Sequence, residues 1–496
     1  MQTNFIKRVV ALTVVGWVVT SIEAAELPSL TNYVRGQFHE LNDNGAWSWF
    51  MDERVIVDKG RLIVGSVRAH GKFADKTLPG WGNVELAVMD MKSGATSKVV
   101  LHENLEQDDH NNPGLLVLCD GRYLAAYSKH GQETTVYYRI STNPGDPLMW
   151  EDEKQFRTPG TMGSFAKDSF TYCNPMRLSS ENNRTYLFHR SHGLDPNYLL
   201  SDDDGRTWRY GGKLYVGRDG YSPYTKYISN NRDTIHFVAT EDHPRNFNNS
   251  LYHAFIRDGK LYRSDGVPVV SSGEKTPSPG LSATQSFSES GKNEVAGASL
   301  STSTNCGVRP WDLTRIFQGG SNHVAWMTDI HLDKKERPVV LFTVQVNGAG
   351  IPRGQGGDDH RFHYARWDGK KWIEHEIAYA GKRLYSGEDD YTGLGAIDPQ
   401  DTSVIYLSSD ADLKTGEPLI SAADGKRHHE IFRGETKNDG ATWTWTPVTG
   451  NSTMDNLRPL VPISSDKRTA LVWMRGTYRA NRGEWTTKVV TTLLER

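Results

Sequence analysis

The chain has 496 residues, a formal net charge of −3 and three cysteines. The small net charge excludes a global basic field for nucleic acid or an anionic membrane, so an acidic ligand has to meet a local cluster of cationic side chains. Three cysteines without any C-x-x-C spacing exclude a disulfide framework and a thiolate zinc site. The 47 glycines, 14 tryptophans and 21 tyrosines favour short sheets with tight turns over helices.

The N-terminus has the pattern of a secretory signal peptide. Lys7 and Arg8 precede an apolar stretch at 9–19, which is shorter than the ~20 residues that a membrane-spanning helix needs. Small residues follow it and offer a cleavage site. We therefore expect residues 1–25 to be a signal peptide, residues 26–496 to be a single catalytic domain, and the mature protein to be secreted without contact to a membrane.

A short motif, S/T-x-D/N-x-G-x-T-W, occurs at 201–208 and again at 436–443. These are Asp boxes, in which an Asp or Asn side chain caps a tight hairpin, glycine adopts a positive φ and the tryptophan packs between sheets. Weaker copies lead to Trp150 and Trp372. Asp boxes are similar to those of sialidase-like propellers, but their role is structural and they do not identify a reaction.

Between these turns the chain consists of short β-branched strands bounded by Asp-Gly or Asn turns. Examples are 55–57, 62–64, 115–118, 234–238 and 339–342. Because no long stripe of helical period occurs, the pattern predicts an all-β fold, a seven-bladed β-propeller with Asp-box turns. The Ser-, Gly- and Thr-rich stretch 271–304 predicts a long loop between blades or a flap over one face.

Two histidines lie at the outer ends of a predicted hairpin. His110 belongs to the polar run 108–113 before the strand 115–118, and His130 follows the strand 123–127. Antiparallel pairing returns these two ends to one rim, so we expect the imidazoles to meet there. Such a pair serves acid–base chemistry or binds a metal, and the alternative is two exposed loop histidines.

The next two elements repeat this layout. Tyr172 stands just before a strand, Arg190 ends the following strand, and the element after that contains Arg218, Tyr221 and Tyr224. Three neighbouring blades thus present imidazole, phenol and guanidinium groups to one face. This set suits proton abstraction beside a carboxylate, because a guanidinium neutralises the enolate and phenol or imidazole groups transfer the protons. Paired acids, which a retaining glycosidase needs, do not occur in the cluster.

Six segments between about residue 45 and residue 460 carry a family resemblance. They are 45–50 (GAWSWF), 108–111 (DDHN), 241–245 (EDHPR), 250–254 (SLYHA), 362–369 (FHYARWDG) and 390–393 (DYTG). In these segments the chain resembles BNR-4-type β-propellers and, among them, the propeller ulvan lyases. The resemblance implies a polysaccharide lyase that cleaves an anionic sulfated polymer by β-elimination. Ulvan, in which 3-sulfated rhamnose is linked to glucuronate or iduronate, is the expected substrate, and an unsaturated uronate end is the expected product.

The resemblance also implies the working residues. The expected catalytic residues are His110, His130, Tyr172, Arg190 and Tyr224, with Tyr172 and His110 as base and acid, Arg190 as neutraliser and His130 completing the site. Which group performs which step stays open. We further expect substrate contacts from Asn111, Arg218, His189 and Tyr221, and a monomer that does not bind nucleic acid.

The chemistry requires no cofactor, but some propellers of this kind hold a structural metal ion, such as zinc or calcium. Candidate ligands are His323, His331, His360, His363 and Cys306, and their spacing matches no standard zinc pattern.

Three other functions remain open at this point. A sialidase-like glycoside hydrolase accounts for the Asp boxes, although the early Arg-Ile-Pro segment of such enzymes is absent. A non-catalytic sugar-binding propeller is the second alternative. The third keeps the lyase chemistry and changes the substrate to another rhamnose–glucuronate polymer.

Overall fold

The computed structural model describes residues 28–158, 160, 168–218, 222–270, 307–352 and 354–496, together with the backbone of 285–286. The predicted signal peptide lies outside the described residues, as does the predicted loop 271–304 apart from that backbone. Within the described part of the chain, no helix has both the length and the apolar character needed to cross a membrane.

Seven antiparallel sheets form the blades of the predicted propeller, and the strands follow one another in chain order. The chain begins with β1 (Tyr33–Val34) and β2 (Gln37–Asn42). Blade one contains β3 (Val55–Asp58), β4 (Arg61–Val67), β5 (Val84–Asp90) and β6 (Thr96–His102). Blade two contains β7 (Gly114–Val117), β8 (Tyr123–Tyr127), β9 (Thr135–Ile140) and β10 (Lys154–Arg157). Blade three contains β11 (Thr171–Leu178), β12 (Arg184–Ser191), β13 (Asp195–Ser201) and β14 (Arg209–Lys213).

The remaining blades follow the same order. Blade four contains β15 (Thr225–Ser229), β16 (Ile235–Ala239), β17 (Leu251–Arg257) and β18 (Lys260–Arg263); β19 (Gln285–Ser286) pairs with β14, and β20 (Thr314–Phe317) pairs with β17. Blade five contains β21 (His323–Leu332), β22 (Pro338–Val346), β23 (His360–Trp367) and β24 (Trp372–Gly381). Blade six contains β25 (Gly395–Ile397), β26 (Val404–Ser409), β27 (Glu430–Glu435) and β28 (Thr444–Pro447); β29 (Thr449–Gly450) pairs with β1. Blade seven contains β30 (Asp455–Leu460), β31 (Arg468–Gly476) and β34 (Lys488–Glu495), and β32 (Tyr478–Ala480) and β33 (Glu484–Trp485) form a hairpin between its strands.

The first long strand of the chain completes the last blade. Strand β2 pairs antiparallel with β34, with Phe38 opposite Thr492, and becomes the outer strand of blade seven. This closure joins the two ends of the described chain. The predicted seven-bladed, all-β fold is confirmed, and the only helical elements among the described residues are three short 3-10 turns, at Asp109–Asn111, Ser179–Glu181 and Pro310–Asp312.

The apolar core is divided among the contacts between blades. Among the described residues, each pair of neighbouring blades shares one cluster of buried side chains. Between blades two and three, for example, Leu124 packs with Leu187, Leu199 and Trp208. Because a blade is covered on both faces, its middle strands are almost continuously apolar, and stability comes from stacking sheets rather than from one central core.

The Asp boxes have the geometry that the motif predicts. In the first, the Asp203 carboxylate accepts hydrogen bonds from the Thr207 backbone nitrogen at 2.9 Å and from its hydroxyl at 2.5 Å. Gly205 has a φ of +76°, which suits a residue without a side chain. Trp208 is buried between blades two and three. The second box, at 436–443, repeats these bonds with Asn438 in place of the aspartate.

The two ends of the propeller differ in what they present. The end at which the inner strand of each blade begins is called the upper rim. It carries the loops that join neighbouring blades and the turn between the second and third strands of each blade, that is, the turns after β4, β8, β12, β16, β22, β26 and β31. The opposite end, the lower rim, carries both Asp boxes, since each box connects the third and fourth strands of its blade.

The axial segment, 47–54, passes through the centre of the propeller. The Trp49 indole donates to the Met327 carbonyl at 3.2 Å, and the buried Lys226 ammonium donates to the Trp49 carbonyl at 2.6 Å. Phe50 follows, with its ring centroid 4.7 Å from that of Tyr224. This segment therefore closes the axis directly beneath the upper rim and forms the floor on which the aromatic residues of the site rest.

Candidate active site

The two histidines of blade two meet on the upper rim, as their flanking strands predict. The rings of His110 and His130 stack in parallel, 3.7 Å apart. One carboxylate holds both of them: Asp108 accepts from Nδ1 of His110 at 2.7 Å and from Nδ1 of His130 at 2.9 Å. Asp109 lies 2.9 Å from the same nitrogen of His110. The tautomers and orientations of both rings are thereby fixed.

The two imidazoles differ in charge. Burial acts to lower the pKa of His110, but the carboxylates of Asp108 and Asp109 outweigh it and raise this pKa to about 10. Burial lowers the pKa of His130 to about 4, since Asp108 only partly offsets it and the neighbouring His110 cation adds repulsion. Two imidazolium ions in contact would repel each other, so the pair carries a single positive charge at neutral pH. We assign this charge to His110, and His130 is the neutral partner.

Tyr172 reaches the site through an irregularity in the backbone. The register between β11 and β12 shifts between Thr171 and Asn174, and Tyr172 has a φ of +70°. Such a left-handed conformation is costly for a bulky residue, and bulges of this kind re-aim side chains. The ring of Tyr172 lies 5.5 Å from that of His110, and its buried hydroxyl has no hydrogen-bond partner among the described residues.

Arg190 lies between two tyrosines. Its guanidinium carbon is 5.0 Å from the ring centroid of Tyr172 and 5.4 Å from that of Tyr224. One of its nitrogens donates to the Tyr224 hydroxyl at 3.0 Å, and another donates to the Thr171 hydroxyl at 3.4 Å. The cation is buried, so its interactions with the phenols are screened little by water.

The pKa values of the two phenols, Tyr172 and Tyr224, are shifted in opposite directions. Burial raises the pKa of Tyr172 well above its usual value, and the proximity of Tyr224 raises it further. Burial also acts to raise the pKa of Tyr224, but the cations of Arg190, Arg245 and His110 outweigh it and lower this pKa. Tyr224 is therefore the phenol that gives up its proton more readily, and Tyr172 stays neutral.

These side chains border a cavity of about 410 Å³ that opens on the upper rim. Four of the predicted catalytic residues line it: His110, His130, Arg190 and Tyr224. Tyr172 lies behind them and lines a smaller adjoining void with Arg190 and Tyr224. The structure thus brings all five predicted catalytic residues together.

A sequence model of the BNR repeat-containing family matches residues 74–380, well over half of the chain. The chain belongs to this family. No curated protein sequence matches it. Among solved structures, a PL25 ulvan lyase bound to -[GlcA(1-4)Rha3S]- has a TM-score of 0.60 at 13% identity, and the match covers 92% of this chain and 95% of that chain. A second structure of a PL25 ulvan lyase gives the same values. A GH93 α-L-arabinofuranosidase of Fusarium graminearum has a TM-score of 0.39 at 13% identity, covering 76% and 91%.

The family match confirms the predicted membership among BNR propellers. At 13% identity, the likeness to the ulvan lyase shows the fold alone.

The cavity of this BNR propeller also contains residues that sequence reasoning missed. His243, Arg245, Glu388, Tyr391 and Arg482 also line it. Three of them lie next to strand ends on the upper rim, as the predicted catalytic residues do: His243 and Arg245 follow the end of β16, and Tyr391 precedes β25. The same rule of placement, applied to every blade, would have found them.

The added residues make the cavity predominantly cationic. Arg245 forms an ion pair with Glu388, and the Nε of Arg482 lies 3.7 Å from the Asp108 carboxylate while about half of its side chain stays exposed. Among the described lining residues there are thus three arginines, Arg190, Arg245 and Arg482, and the His110 imidazolium, against a single carboxylate, that of Glu388. This balance suits an anionic ligand.

The three predicted substrate contacts that the structure describes lie outside this cavity. The Asn111 side chain is fully buried and donates to the Glu106 carbonyl at 3.0 Å. Arg218 stacks on a phenylalanine ring at 4.1 Å, and His189 is buried behind the site against another phenylalanine. Tyr221 lies outside the described residues. Of this set, none of the three described side chains borders the cavity.

One group of side chains has the composition of a metal site, namely Asp108, His110 and His130, whose ligand atoms lie within 4.8 Å of one another. The geometry does not fit an ion, because the two rings are parallel and both Nδ1 atoms already meet the carboxylate, whereas ligand lone pairs have to converge on a metal. The other candidate ligands that the structure describes, His323, His331, His360 and His363, form no such group. Cys306 lies outside the described residues.

Proposed function

We propose that this BNR propeller is a polysaccharide lyase that cleaves a uronate-containing polymer by β-elimination, with ulvan as the substrate. The observation that carries the proposal is the convergence of an imidazolium, a guanidinium and a phenol of lowered pKa, those of His110, Arg190 and Tyr224, on one cationic cavity. Such a cavity holds the groups that elimination beside a carboxylate needs. The fold shared with a PL25 ulvan lyase supports the same reaction.

The first requirement is to stabilise the negative charge that spreads onto the uronate carboxylate when the C5 proton leaves. Arg190 is buried and is fixed by its bonds to Tyr224 and Thr171. A preorganised cation in a site of low polarity stabilises a developing enolate without reorganising. We assign the neutralisation of the carboxylate to Arg190, assisted by Arg245, which also lines the cavity.

The base is Tyr224. Its phenol is the one whose pKa is lowered by neighbouring cations, and it lines the cavity beside Arg190. As a phenolate it removes the C5 proton, and the electron pair of that C–H bond forms the C4=C5 double bond. A base is most effective when its deprotonated form is populated near the working pH, which favours Tyr224 over Tyr172.

The acid is His110. Its pKa is raised to about 10, so the ring is an imidazolium at neutral pH, and it lines the cavity. It protonates the leaving glycosidic oxygen as the C4–O bond breaks, so that one proton is taken from C5 and one is returned to the leaving group. His130 keeps the ring of His110 in place by stacking. The neutral Tyr172 lies behind the cavity wall, and its hydroxyl helps to lower the pKa of Tyr224.

A glycoside hydrolase is less consistent with this cavity. Most retaining and inverting glycosidases use two carboxyl groups that flank the scissile bond, and sialidases, which have a tyrosine nucleophile, still need an acidic residue as the proton donor. Among the described lining residues, Glu388 is the single carboxylate, and it is paired with Arg245. The carboxylate of Asp108 lies behind the histidines and is bound by both of them.

We also propose that the protein is exported after removal of residues 1–25. The proposal rests on the charged start, the short apolar stretch and the small residues that follow. A polymer too large to enter a cell has to be cut outside the cytoplasm, which agrees with this expectation. N-terminal sequencing of the protein recovered from the culture medium or the periplasm tests it, and a mature chain that retains residues 1–25 would contradict it.

The test of the reaction is a panel of uronate polysaccharides: ulvan, desulfated ulvan, another rhamnose–glucuronate polymer and a polygalacturonate. The proposal predicts rising ultraviolet absorbance from the conjugated product with ulvan, and a rise at least about 10²-fold slower in the Tyr224→Phe variant. New reducing ends without absorbance would indicate hydrolysis, and binding without new ends would indicate a sugar-binding propeller. Equal rates on desulfated ulvan would remove the requirement for sulfate.

A further inference from the structure

The loop between β4 and β5, residues 68–82, carries the most exposed aromatic side chain of the described chain. Phe73 is 91% exposed, and it has a φ of +65°, a left-handed conformation that is uncommon for a bulky residue. Two lysines accompany the aromatic residues: the Lys72 ammonium is 5.4 Å from the ring of Phe73, and that of Lys76 is 5.6 Å from the ring of Trp81. Burial does not explain this placement, because most of these side chains face water.

The loop is nevertheless well anchored. At its base, the Arg68 backbone nitrogen donates to the Asn83 carbonyl at 3.0 Å, and the Gly82 nitrogen donates to the Arg68 carbonyl at 3.2 Å. At its centre, Thr77 donates from its nitrogen and its hydroxyl to the Asp75 carboxylate, both at 2.9 Å. Phe73 is therefore presented to solvent by a structured turn.

The anchors also join the loop to the active site. Gln107, which directly precedes Asp108, accepts from the His70 nitrogen at 2.6 Å and donates to the Gly71 carbonyl at 2.7 Å. On the other side, Lys72 forms an ion pair of 2.5 Å with Glu484, two residues after the cavity-lining Arg482. The loop thus lies on the upper rim, next to the cavity wall that holds His110 and Arg482.

From this placement we infer that the loop 68–82 is a distal binding subsite for the polysaccharide chain, which continues from the cavity past Arg482 onto Phe73. The inference rests on the proposed function and extends it. The C–H groups on one face of a pyranose ring are attracted to the negative face of an aromatic ring, and Phe73 offers such a face. Lys76, which makes no ion pair among the described residues, supplies positive charge for a carboxylate or sulfate group of the same stretch of polymer.

The lower rim supplies a matched control. Met149 is 59% exposed in the hairpin between β9 and β10, at the opposite end of the propeller. If surface apolarity alone mattered, Met149→Ala and Phe73→Ala would have the same effect. A subsite on the upper rim predicts that only Phe73 matters, and that Phe73→Tyr, which keeps an aromatic face, retains the wild-type behaviour.

The experiment compares Phe73→Ala, Phe73→Tyr, Met149→Ala and the wild type on polymeric ulvan and on the shortest ulvan oligosaccharide that the wild type cleaves. We expect Phe73→Ala to raise KM for the polymer about 3- to 10-fold, with kcat and the rate on the short oligosaccharide unchanged. An unchanged KM for the polymer, or an equal loss on both substrates, would overturn the subsite. If Phe73→Ala alters the oligomeric state in size-exclusion chromatography and not the KM, the loop is a protein contact and the subsite is likewise refuted.

A readout that does not depend on turnover separates this inference from the proposed function. In native gels containing ulvan, the subsite predicts retardation of the wild type and of Met149→Ala, and weaker retardation of Phe73→Ala. If no uronate polymer yields an unsaturated product, the proposed function fails, and this gel still decides whether the loop binds the polymer. If Phe73→Ala is retarded as strongly as the wild type, the subsite is wrong while the lyase activity stands.

Discussion

The upper and lower rims of this propeller use polar residues in opposite ways. On the lower rim, the Asp203 carboxylate is satisfied by Thr207 and Ser201 within its own turn. On the upper rim, a buried carboxylate, Asp108, holds two stacked histidines, while the buried Tyr172 hydroxyl has no partner among the described residues. Polar groups that satisfy one another locally stabilise a turn, whereas groups held in place but left open are available to a ligand.

The largest effect should come from removing the base on the upper rim. Tyr224→Phe deletes only the hydroxyl that meets Arg190 at 3.0 Å, so we expect kcat to fall about 10²- to 10⁴-fold with the fold intact. The control on the lower rim is Tyr364→Phe, which deletes a hydroxyl bonded to the Thr402 carbonyl at 2.9 Å. Initial rates of the absorbance increase measure both, and wild-type kcat in Tyr224→Phe would exclude it as the base.

A similar loss should follow from removing the acid. His110→Ala leaves the leaving oxygen without its proton donor, so we expect about 10²- to 10³-fold lower kcat. Tyr172→Phe removes the hydroxyl that helps to lower the pKa of Tyr224, so kcat should also fall and its rise with pH should move to higher pH. Near-ultraviolet circular dichroism checks that both variants are folded. Full turnover by either variant would take that residue out of the mechanism.

Arg190→Lys should be somewhat milder. The ammonium keeps the charge but cannot contact Tyr224, Thr171 and a carboxylate in the planar geometry of the guanidinium, so we expect about 10²-fold lower kcat/KM. The loss should appear mainly in kcat, because the charge matters most in the transition state. A change confined to KM would assign Arg190 to substrate binding instead.

The pH dependence tests the two charged groups together. Activity should rise with pH as Tyr224 ionises, at a pKa below its usual value, and fall again near the His110 pKa of about 10 as the acid loses its proton. The stability that His110 contributes is fully present below its unfolded pKa of about 6.5 and is lost as pH rises towards 10. Profiles of kcat and of the unfolding midpoint against pH measure this, and an activity that falls steadily from pH 6 upward would contradict the assignment.

The smallest effect on turnover should come from the lower rim. Asp203→Ala removes the carboxylate that bonds Thr207 and Ser201, so we expect unfolding to become easier by about 1–2 kcal/mol. Because this turn faces away from the cavity, kcat per folded molecule should not change. Urea unfolding and initial rates measure the two quantities separately, and a large loss of kcat would show that the rims are coupled.

Much of this organisation could be predicted from the sequence because the signals are local. Turn residues and β-branched runs predict the strands, the Asp boxes predict two lower-rim hairpins, and the position of His110 and His130 at strand ends predicts that they meet. The same placement rule brought Tyr172, Arg190 and Tyr224 to one cavity.

Other features have no local signal. The left-handed backbone of Tyr172 is imposed by a bulge against β12, and tyrosine gives no hint of it as glycine would. The ion pair of Arg245 with Glu388 joins residues far apart in sequence, and the axial segment is held by Lys226, a residue of blade four. Such contacts depend on how the blades are arranged around the axis, which a reading of single strands does not contain.

The identity of the product tests the account most directly. Mass spectrometry and proton NMR of the oligosaccharides released from ulvan by the wild type should show chains one water lighter than hydrolysis products, with a vinylic proton at C4 of the terminal uronate. The Tyr224→Phe variant should release these products at least about 10²-fold more slowly. Saturated uronate ends without a vinylic proton, with oxygen from labelled water at C1 of the new reducing ends, would mean hydrolysis and would contradict proton abstraction at this site.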